Sequence, residues 1–498
     1  MTTAFISNLD QPILQLNSKA SWTLRSAFQS TLVLGGTGSG KTSATGRALS
    51  SALLRSGAGG CVAVCKPSEI DLWKMYATMH GREHDLIVFD ASQGCNFIAY
   101  EFSRKGVEGA NSVTDCIMRI LDAAEKAAGQ GAGRDGEQFW KNTSRQMLLY
   151  SISSLYGATG KVTVEDIVRF VTTAPTKRPT TPEELQHVEK SFAFRILKQF
   201  EQKPVCEIPA DVKKAVNNYW ALQYTALSEK TRSSILIHVT SSLNRFATGM
   251  LRKCFCDKTT VVPEMSFAGK IILLALPILV MNEEAKIGQQ LFQFLWMRAV
   301  ESRNGLGKQF SERPVFLFVD EFQYYIHQYW DTFLSTCRDS RCAVIAMTQS
   351  LPTLYAQLGK DSTDFVDGLI GKCTGGIIFH LNSCSRSNKW AMELIGKGLK
   401  LRKTQTHSVT SGMNTNRGGS QAATNAGWNK NESSNTGTSE QEYETHLLEA
   451  NYFATALKTG GPKNNYEVTG VWFSAGAQFQ EPIPGTSSNV LLAIFTQK

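Results

Sequence analysis

The chain has 498 residues, 42% of them hydrophobic, enough for a large buried core and for two or three structural units, which excludes an intrinsically disordered protein. Its 52 basic and 43 acidic residues give a formal charge of +9, compatible with a polyanionic partner and equally with an ordinary solvated surface of modest basic excess. The 11 cysteines show no C-x-x-C pair and no histidines at metal spacing, which disfavours a disulfide scaffold or zinc ribbon and fits reduced, mostly buried thiols in a cytoplasmic protein.

Residues 1–12 carry no basic stretch followed by an apolar core, so no secretory signal is expected. Thr31 to Leu34 predicts a buried strand that runs into Gly35, Gly36, Thr37, Gly38, Ser39, Gly40, Lys41 and Thr42, a match to G-x-x-x-x-G-K-[ST]. Ser43 to Leu54 then reads as a helix. The glycines let backbone N–H groups turn toward phosphate oxygens where a side chain would block the approach. Lys41 is suited to neutralise β- and γ-phosphates and Thr42 to offer a hydroxyl to Mg²⁺, with Ser43 at the helix start. Cys61 to Cys65 and Leu86 to Phe89 predict two more buried strands, ending in Lys66 and Asp90, in the alternation of a doubly wound α/β fold. Between them, His80, Glu83 and His84 formally match H-x-x-E-H, but Gly81 weakens the helix that two zinc-binding histidines would need, and a surface turn is expected instead.

From about Phe102 to Pro263 the β-branched runs give way to helical periodicity, as in Phe139, Trp140, Met147, Leu148, Ile152 and Leu155, with Pro175, Pro179 and Pro182 breaking the pattern. The expected division is a first part of an ATPase domain over 1–104, an all-helical insertion over 105–262 and the second part over 263–498. Lys213 and Lys214 in the insertion are either solvated surface or phosphate contacts. Ile271 to Met281 is too short to cross a bilayer and contains Pro277, so no transmembrane segment is expected.

Strands are predicted again at Ile271 to Leu276, Val315 to Val319, Ala343 to Met347 and Gly376 to Phe379. The second of these delivers Asp320 and Glu321, suited to hold Mg²⁺ and to activate water, although acidic residues also favour a helix start. The third leads to Thr348 and Gln349, an amide that could touch a γ-phosphate or the attacking water. Lys397, Lys400, Arg402 and Lys403 form a second basic cluster with the same two readings. Ser408 to Ser439, rich in Ser, Thr, Asn and Gly with one aromatic, Trp428, is expected to be a mobile loop, and Tyr443 to Phe479 to supply edge strands.

With these motifs placed, the chain resembles the conjugative coupling proteins of type IV secretion, the TraG/TraD class within the FtsK/HerA-like hexameric translocases. The likeness runs through Thr31 to Ser43, Cys61 to Pro67, Asp85 to Asp90, the helical insertion, Asp320-Glu321-Phe322, Ser335 to Arg338, Thr348-Gln349-Ser350 and Gly460-Gly461. It implies a RecA-like P-loop ATPase domain with an inserted all-helical domain, ATP and Mg²⁺ as cofactors, DNA in the channel of a homo-hexamer, and relaxase or other secretion components as partners. It also implies Lys41 and Thr42 for phosphate and Mg²⁺, Asp320 and Glu321 for Mg²⁺ and water, Gln349 as sensor, and Arg338 as a finger reaching a neighbour's nucleotide. A glycine usual three residues after that arginine is Arg341 here, so Arg341 could be the finger instead. The family's N-terminal membrane helices have no counterpart, which leaves a cytoplasmic protein recruited to the membrane through partners. Two other readings are a soluble translocase working with a nuclease partner and a nucleotide-gated docking platform for protein substrates.

Overall fold

The computed structural model describes residues 3–127, 137–177, 179–358, 362–413 and 430–497. Its strands, in chain order, are β1 (Pro12–Gln15), β2 (Ser21–Thr23), β3 (Thr31–Leu34), β4 (Gly59–Ala63), β5 (Leu86–Phe89), β6 (Ile271–Leu274), β7 (Val315–Val319), β8 (Cys342–Thr348), β9 (Gly376–Phe379), β10 (Lys397–Met413), β11 (Lys430–His446), β12 (Glu467–Phe473) and β13 (Val490–Thr496). β1 and β2 pair as a short hairpin, and nine others form one sheet in the order β13-β12-β9-β3-β8-β7-β4-β6-β5. From β9 to β5 all neighbours are parallel, while β12 joins β9, and β13 joins β12, antiparallel.

The central strands read as continuous apolar runs because both faces are covered, as parallel sheets require. Alternate residues serve opposite faces. Leu32, Leu34, Cys61, Ala63, Leu317, Val319, Val344 and Ala346 enter one core, and Val33, Val62, Phe316, Phe318, Ile345 and Met347 enter the other. The first core continues without a break into Ile152, Phe170, Phe200 and Phe246 of the helical region.

Every regular element described between β5 and β6 is helical, from Phe97–Lys105 to the 3-10 turn Pro263–Ala268. Because β5 and β6 are adjacent and parallel, this whole segment is one enlarged crossover. Helix Gly109–Ala127 seats it on Ile278–Ser302, the helix that follows β6. Of the residues that suggested the helical period, Met147, Leu148, Ile152 and Leu155 are buried, whereas Phe139 is exposed. No described helix is long and apolar enough to cross a membrane.

Several expected elements are corrected. The strand expected at Cys61 to Cys65 starts two residues earlier, at Gly59 and Gly60, where glycine is demanded by close packing. A Cβ on Gly60 would lie 2.7 Å from the Phe316 ring, and one on Gly59 would lie 1.9 Å from the Ser266 carbonyl oxygen. Of the loop expected over Ser408 to Ser439, the described residues 408–413 and 430–439 instead belong to a long antiparallel ribbon, β10 with β11, paired from Lys397 and His446 to Met413 and Lys430. Both its faces are exposed, so it carries no apolar alternation and its Thr-rich composition reads as loop. Residues 414–429, including Trp428, lie outside the described residues. β12 falls inside the segment expected to supply edge strands; β13 lies beyond it.

Candidate functional site

β3 releases the chain at Leu34, and the glycine loop then folds over the strand ends. Gly38 and Gly40 have φ of +76° and +85°, a left-handed backbone that side chains rarely adopt. Gly40 is also sterically required, since a Cβ would lie 2.5 Å from Val468 Cγ2 on β12. Ser39 is buried, its N–H donating to the Gly36 carbonyl at 3.2 Å. Lys41–Gly46 winds as a π-helical turn before the regular helix Arg47–Arg55. Ser43 lies at the loop's outer side, where its hydroxyl accepts from Gln497 Nε2 at 2.9 Å.

Residues 36–43, Lys66, Glu321 and Gln349 line one hollow. Behind Lys41 and Thr42, Asp320, buried at the end of β7, accepts from Lys41 Nζ at 2.9 Å and from Thr42 Oγ1 at 2.6 Å. Burial pushes the Asp320 carboxyl up. Lys41, the Thr42 hydroxyl and the Glu321 amide outweigh that effect and hold it below the usual carboxylate range. A hydroxyl and a carboxylate oxygen side by side are the hard donors that suit Mg²⁺, so Thr42 and Asp320 fit that ion.

Glu321 has a left-handed backbone, φ +52°, which turns its carboxylate out of the strand direction toward the hollow. Three side chains hold it there. Lys66 Nζ lies 3.2 Å from Oε1, Gln323 Nε2 donates to Oε2 at 2.8 Å, and Gln349 Nε2 reaches Oε2 at 3.3 Å. Gln323 is fixed in turn by the Thr348 hydroxyl at 2.9 Å, and the Gln349 carbonyl by Asn382 Nδ2 at 2.8 Å. β8 lies between β3 and β7, so Gln349 emerges between the glycine loop and Asp320.

Sequence reasoning passed over several residues here. Lys66 stood out only as the charged end of a strand, yet its ammonium enters the hollow. Partial burial would lower its pKa, but Glu321, Asp320 and Glu69 reverse the shift and keep it raised. Burial pushes the Glu69 carboxyl up to about 7, and the Cys65 N–H donates to it at 2.8 Å. His380 links the segment after the glycine loop to β12. Its Nδ1 lies 2.9 Å from the Thr469 carbonyl oxygen, which can only accept, so Nδ1 carries the proton and Nε2 accepts from the Thr45 hydroxyl at 2.8 Å. No short motif flags these residues; only the pairing of distant strands brings them together.

Arg338 is not with the others. It is exposed in the turn before β8, at the opposite end of the strand from Gln349. Arg341 follows with φ +48°, the conformation a glycine would adopt freely, and its Nη1 donates to the Glu312 carbonyl at 2.9 Å. Of the basic clusters, Lys397 and Lys403 pair across the ribbon with Glu444 and Glu440 at 3.6 and 2.7 Å, and Arg402 pairs through its backbone with Gln441. Lys213 and Lys214 lie on helix Ala210–Asn218, and Lys400 is exposed on the ribbon. The helix Pro67–Met79 ends before His80, and Gly81 turns the chain with φ +62° before His84.

Among solved structures the chain is similar to the bacterial conjugative coupling protein TrwBdeltaN70 in its unbound monoclinic form, with a TM-score of 0.56 and 13% identity over 99% of this chain and 90% of that one. It is similar also to plasmid coupling protein TrwB in complex with the non-hydrolysable ATP analogue ADPNP, with a TM-score of 0.54 and 12% identity over 99% and 90%. TrwB in complex with ADP and Mg²⁺ gives a TM-score of 0.50 and 13% identity over 93% and 89%. At such identities the likeness establishes the fold, an α/β P-loop architecture with a helical domain. Comparison with curated proteins gives no match. The model of the type IV secretory system conjugative DNA transfer family matches residues 7–388, and the chain belongs to that family.

Proposed function

We propose that this protein is an ATP-hydrolysing, Mg²⁺-dependent translocase that recruits and moves DNA in conjugative transfer, assembled as a homo-hexamer with residues 105–262 as its helical domain. The observation that carries the reading is the convergence of the glycine loop, Lys41, Thr42, Glu321 and Gln349 on one hollow, with Asp320 bonded to Lys41 and Thr42. TrwB, which shares the fold, has been solved with ADPNP and with ADP and Mg²⁺.

In this reading the amides of the glycine loop and the Lys41 ammonium hold the β- and γ-phosphates. Mg²⁺, held by Thr42 and Asp320, supplies further neutralisation of the phosphate oxygens when bound. Water attacks the γ-phosphorus and the bond to the β,γ-bridging oxygen breaks. Glu321 takes the proton from the water and passes it to the released phosphate, while Gln349 orients the water. Arg338, remote from its own site, serves the site of the adjacent subunit. DNA, relaxase and other secretion components are the proposed partners, with the protein cytoplasmic and recruited to the membrane through them.

The test is the ATPase rate with and without single- and double-stranded DNA, at protein concentrations spanning assembly. Stimulation by DNA supports the translocase. A rate indifferent to DNA would favour the docking platform for protein substrates.

A further inference from the structure

The turn that presents Lys66 is built with unusual firmness. Gln289 clamps the exit of β4, accepting from the Val64 N–H at 3.1 Å and donating to the Val64 carbonyl at 2.6 Å. Pro67 fixes the first helical position, and Glu69 ties down the turn by accepting from Cys65 N and donating its own N–H to the Lys66 carbonyl at 3.1 Å. The backbone of Lys66 is therefore set, while its side chain is 45% exposed and reaches Glu321 across the hollow.

Glu321, for its part, has both carboxylate oxygens engaged: Oε1 by Lys66 and Gln349, Oε2 by Gln323 and Gln349. A base whose lone pairs are all committed is poorly placed to take a proton from water, so one partner must release it. Gln323 is buried and anchored by Thr348, and Gln349 is anchored through its backbone by Asn382. Lys66 is the only one of the three that is charged, and its ammonium sits on a flexible four-carbon stem. A terminal phosphate carries more negative charge than a carboxylate and offers three acceptor oxygens, so it outcompetes Glu321 for an ammonium in the same hollow.

We propose that Lys66 is a second cation of the nucleotide site that discriminates triphosphate from diphosphate: it holds Glu321 until a γ-phosphate is present, then transfers to that phosphate and frees the base. The inference rests on the ATPase reading above and adds to it a residue with a distinct task from Lys41.

The test is equilibrium binding of ADPNP and of ADP, with Mg²⁺, to the full chain, by displacement of a fluorescent nucleotide. The proteins compared are wild type, Lys66→Gln, Lys66→Arg, Glu321→Gln and the Lys66→Gln/Glu321→Gln double variant. Lys66→Gln should weaken ADPNP by about tenfold and ADP by less than about twofold, the scale of one charge-assisted contact. Lys66→Arg should restore most of the difference. Glu321→Gln should tighten ADPNP by releasing Lys66, and this gain should vanish in the double variant. Equal losses for both nucleotides, no loss, or a gain in Glu321→Gln that survives removal of Lys66 would each overturn the assignment. Lys66 is half exposed and Glu321→Gln is isosteric, so these variants leave the core intact. If the wild type binds neither nucleotide, the ATPase reading falls and this inference with it; if it binds both and Lys66→Gln does not discriminate, only the inference falls.

Discussion

Arg338→Ala is expected to lower turnover while leaving nucleotide binding to the isolated subunit intact. β8 spans seven residues, Cys342–Thr348, at about 3.3 Å each, so roughly 20 Å of strand separates the Arg338 turn from Gln349, far beyond the reach of an arginine side chain. Arg338 therefore cannot serve the site of its own chain. An arginine supplied to a neighbour's transition state is worth about a thousandfold or more in turnover, or about 4 kcal/mol. Glu321→Gln should be comparably inactive for a different reason, loss of the base. Mixing the two variants is decisive, because a site is competent where an intact Glu321 meets an intact Arg338 from the next subunit. With random mixing of equal amounts, about one interface in four meets that condition, so activity should return to as much as about a quarter of the wild-type rate. The assay is steady-state ATPase after subunit exchange, with exchange verified by fluorescence transfer between labelled subunits. No recovery under verified exchange refutes Arg338 in trans. Arg341→Ala alone should keep turnover, and its mixture with Glu321→Gln should recover nothing beyond the sites that retain Glu321, since that guanidinium is committed to the Glu312 carbonyl of its own chain.

Three further outcomes are expected. Lys41→Ala should lose most nucleotide affinity, whereas Glu321→Gln should keep ATP bound without turnover, as equilibrium binding and single-turnover measurements will show. DNA affinity should fall steeply and linearly in log–log terms as salt rises, each phosphate contact adding roughly 0.7 to 0.9 to the slope; a flat isotherm would count against the translocase. His380, buried, has a pKa lowered to about 4 from 6.5 by desolvation, partly offset by its bond to the Thr469 carbonyl. The unfolded chain therefore binds the proton first. Stability from the neutral ring is present above pH 6.5 and is lost as pH falls toward 4, by up to about 1.4 kcal/mol per pH unit. Urea midpoints of wild type and His380→Gln should converge over that window; a difference independent of pH would refute the assignment.

The glycine loop and the Asp320-Glu321 pair were legible because each is a local pattern at the end of an apolar run. Such a run must be a strand buried on both faces, and the residue after it must emerge at the sheet's edge. Arg341 was legible only as an anomaly, and its φ of +48° explains why a glycine suits that position. What stayed hidden depends on contacts between distant segments. The early start of β4 at Gly59 and Gly60 is dictated by the Phe316 ring and the Ser266 carbonyl, which no reading of neighbouring residues reveals. Lys66, Gln323 and His380 acquire meaning only from the order in which the strands assemble. The β10–β11 ribbon was hidden for the opposite reason, since a strand pair exposed on both faces carries no hydrophobic signature.

The packing of Gly40 against Val468 and the bond from Gln497 to Ser43 have a consequence for biosynthesis. Ser43 and Gln497 lie 454 positions apart in the sequence. At roughly 5 to 20 residues per second, a ribosome takes on the order of half a minute to a minute and a half to travel between them. For most of that interval β3 lacks its flanking strands β8 and β9, and once they are made Gly40 still lacks the Val468 side chain of β12. The glycine loop is thus among the earliest parts to be made and among the last to gain its full set of contacts.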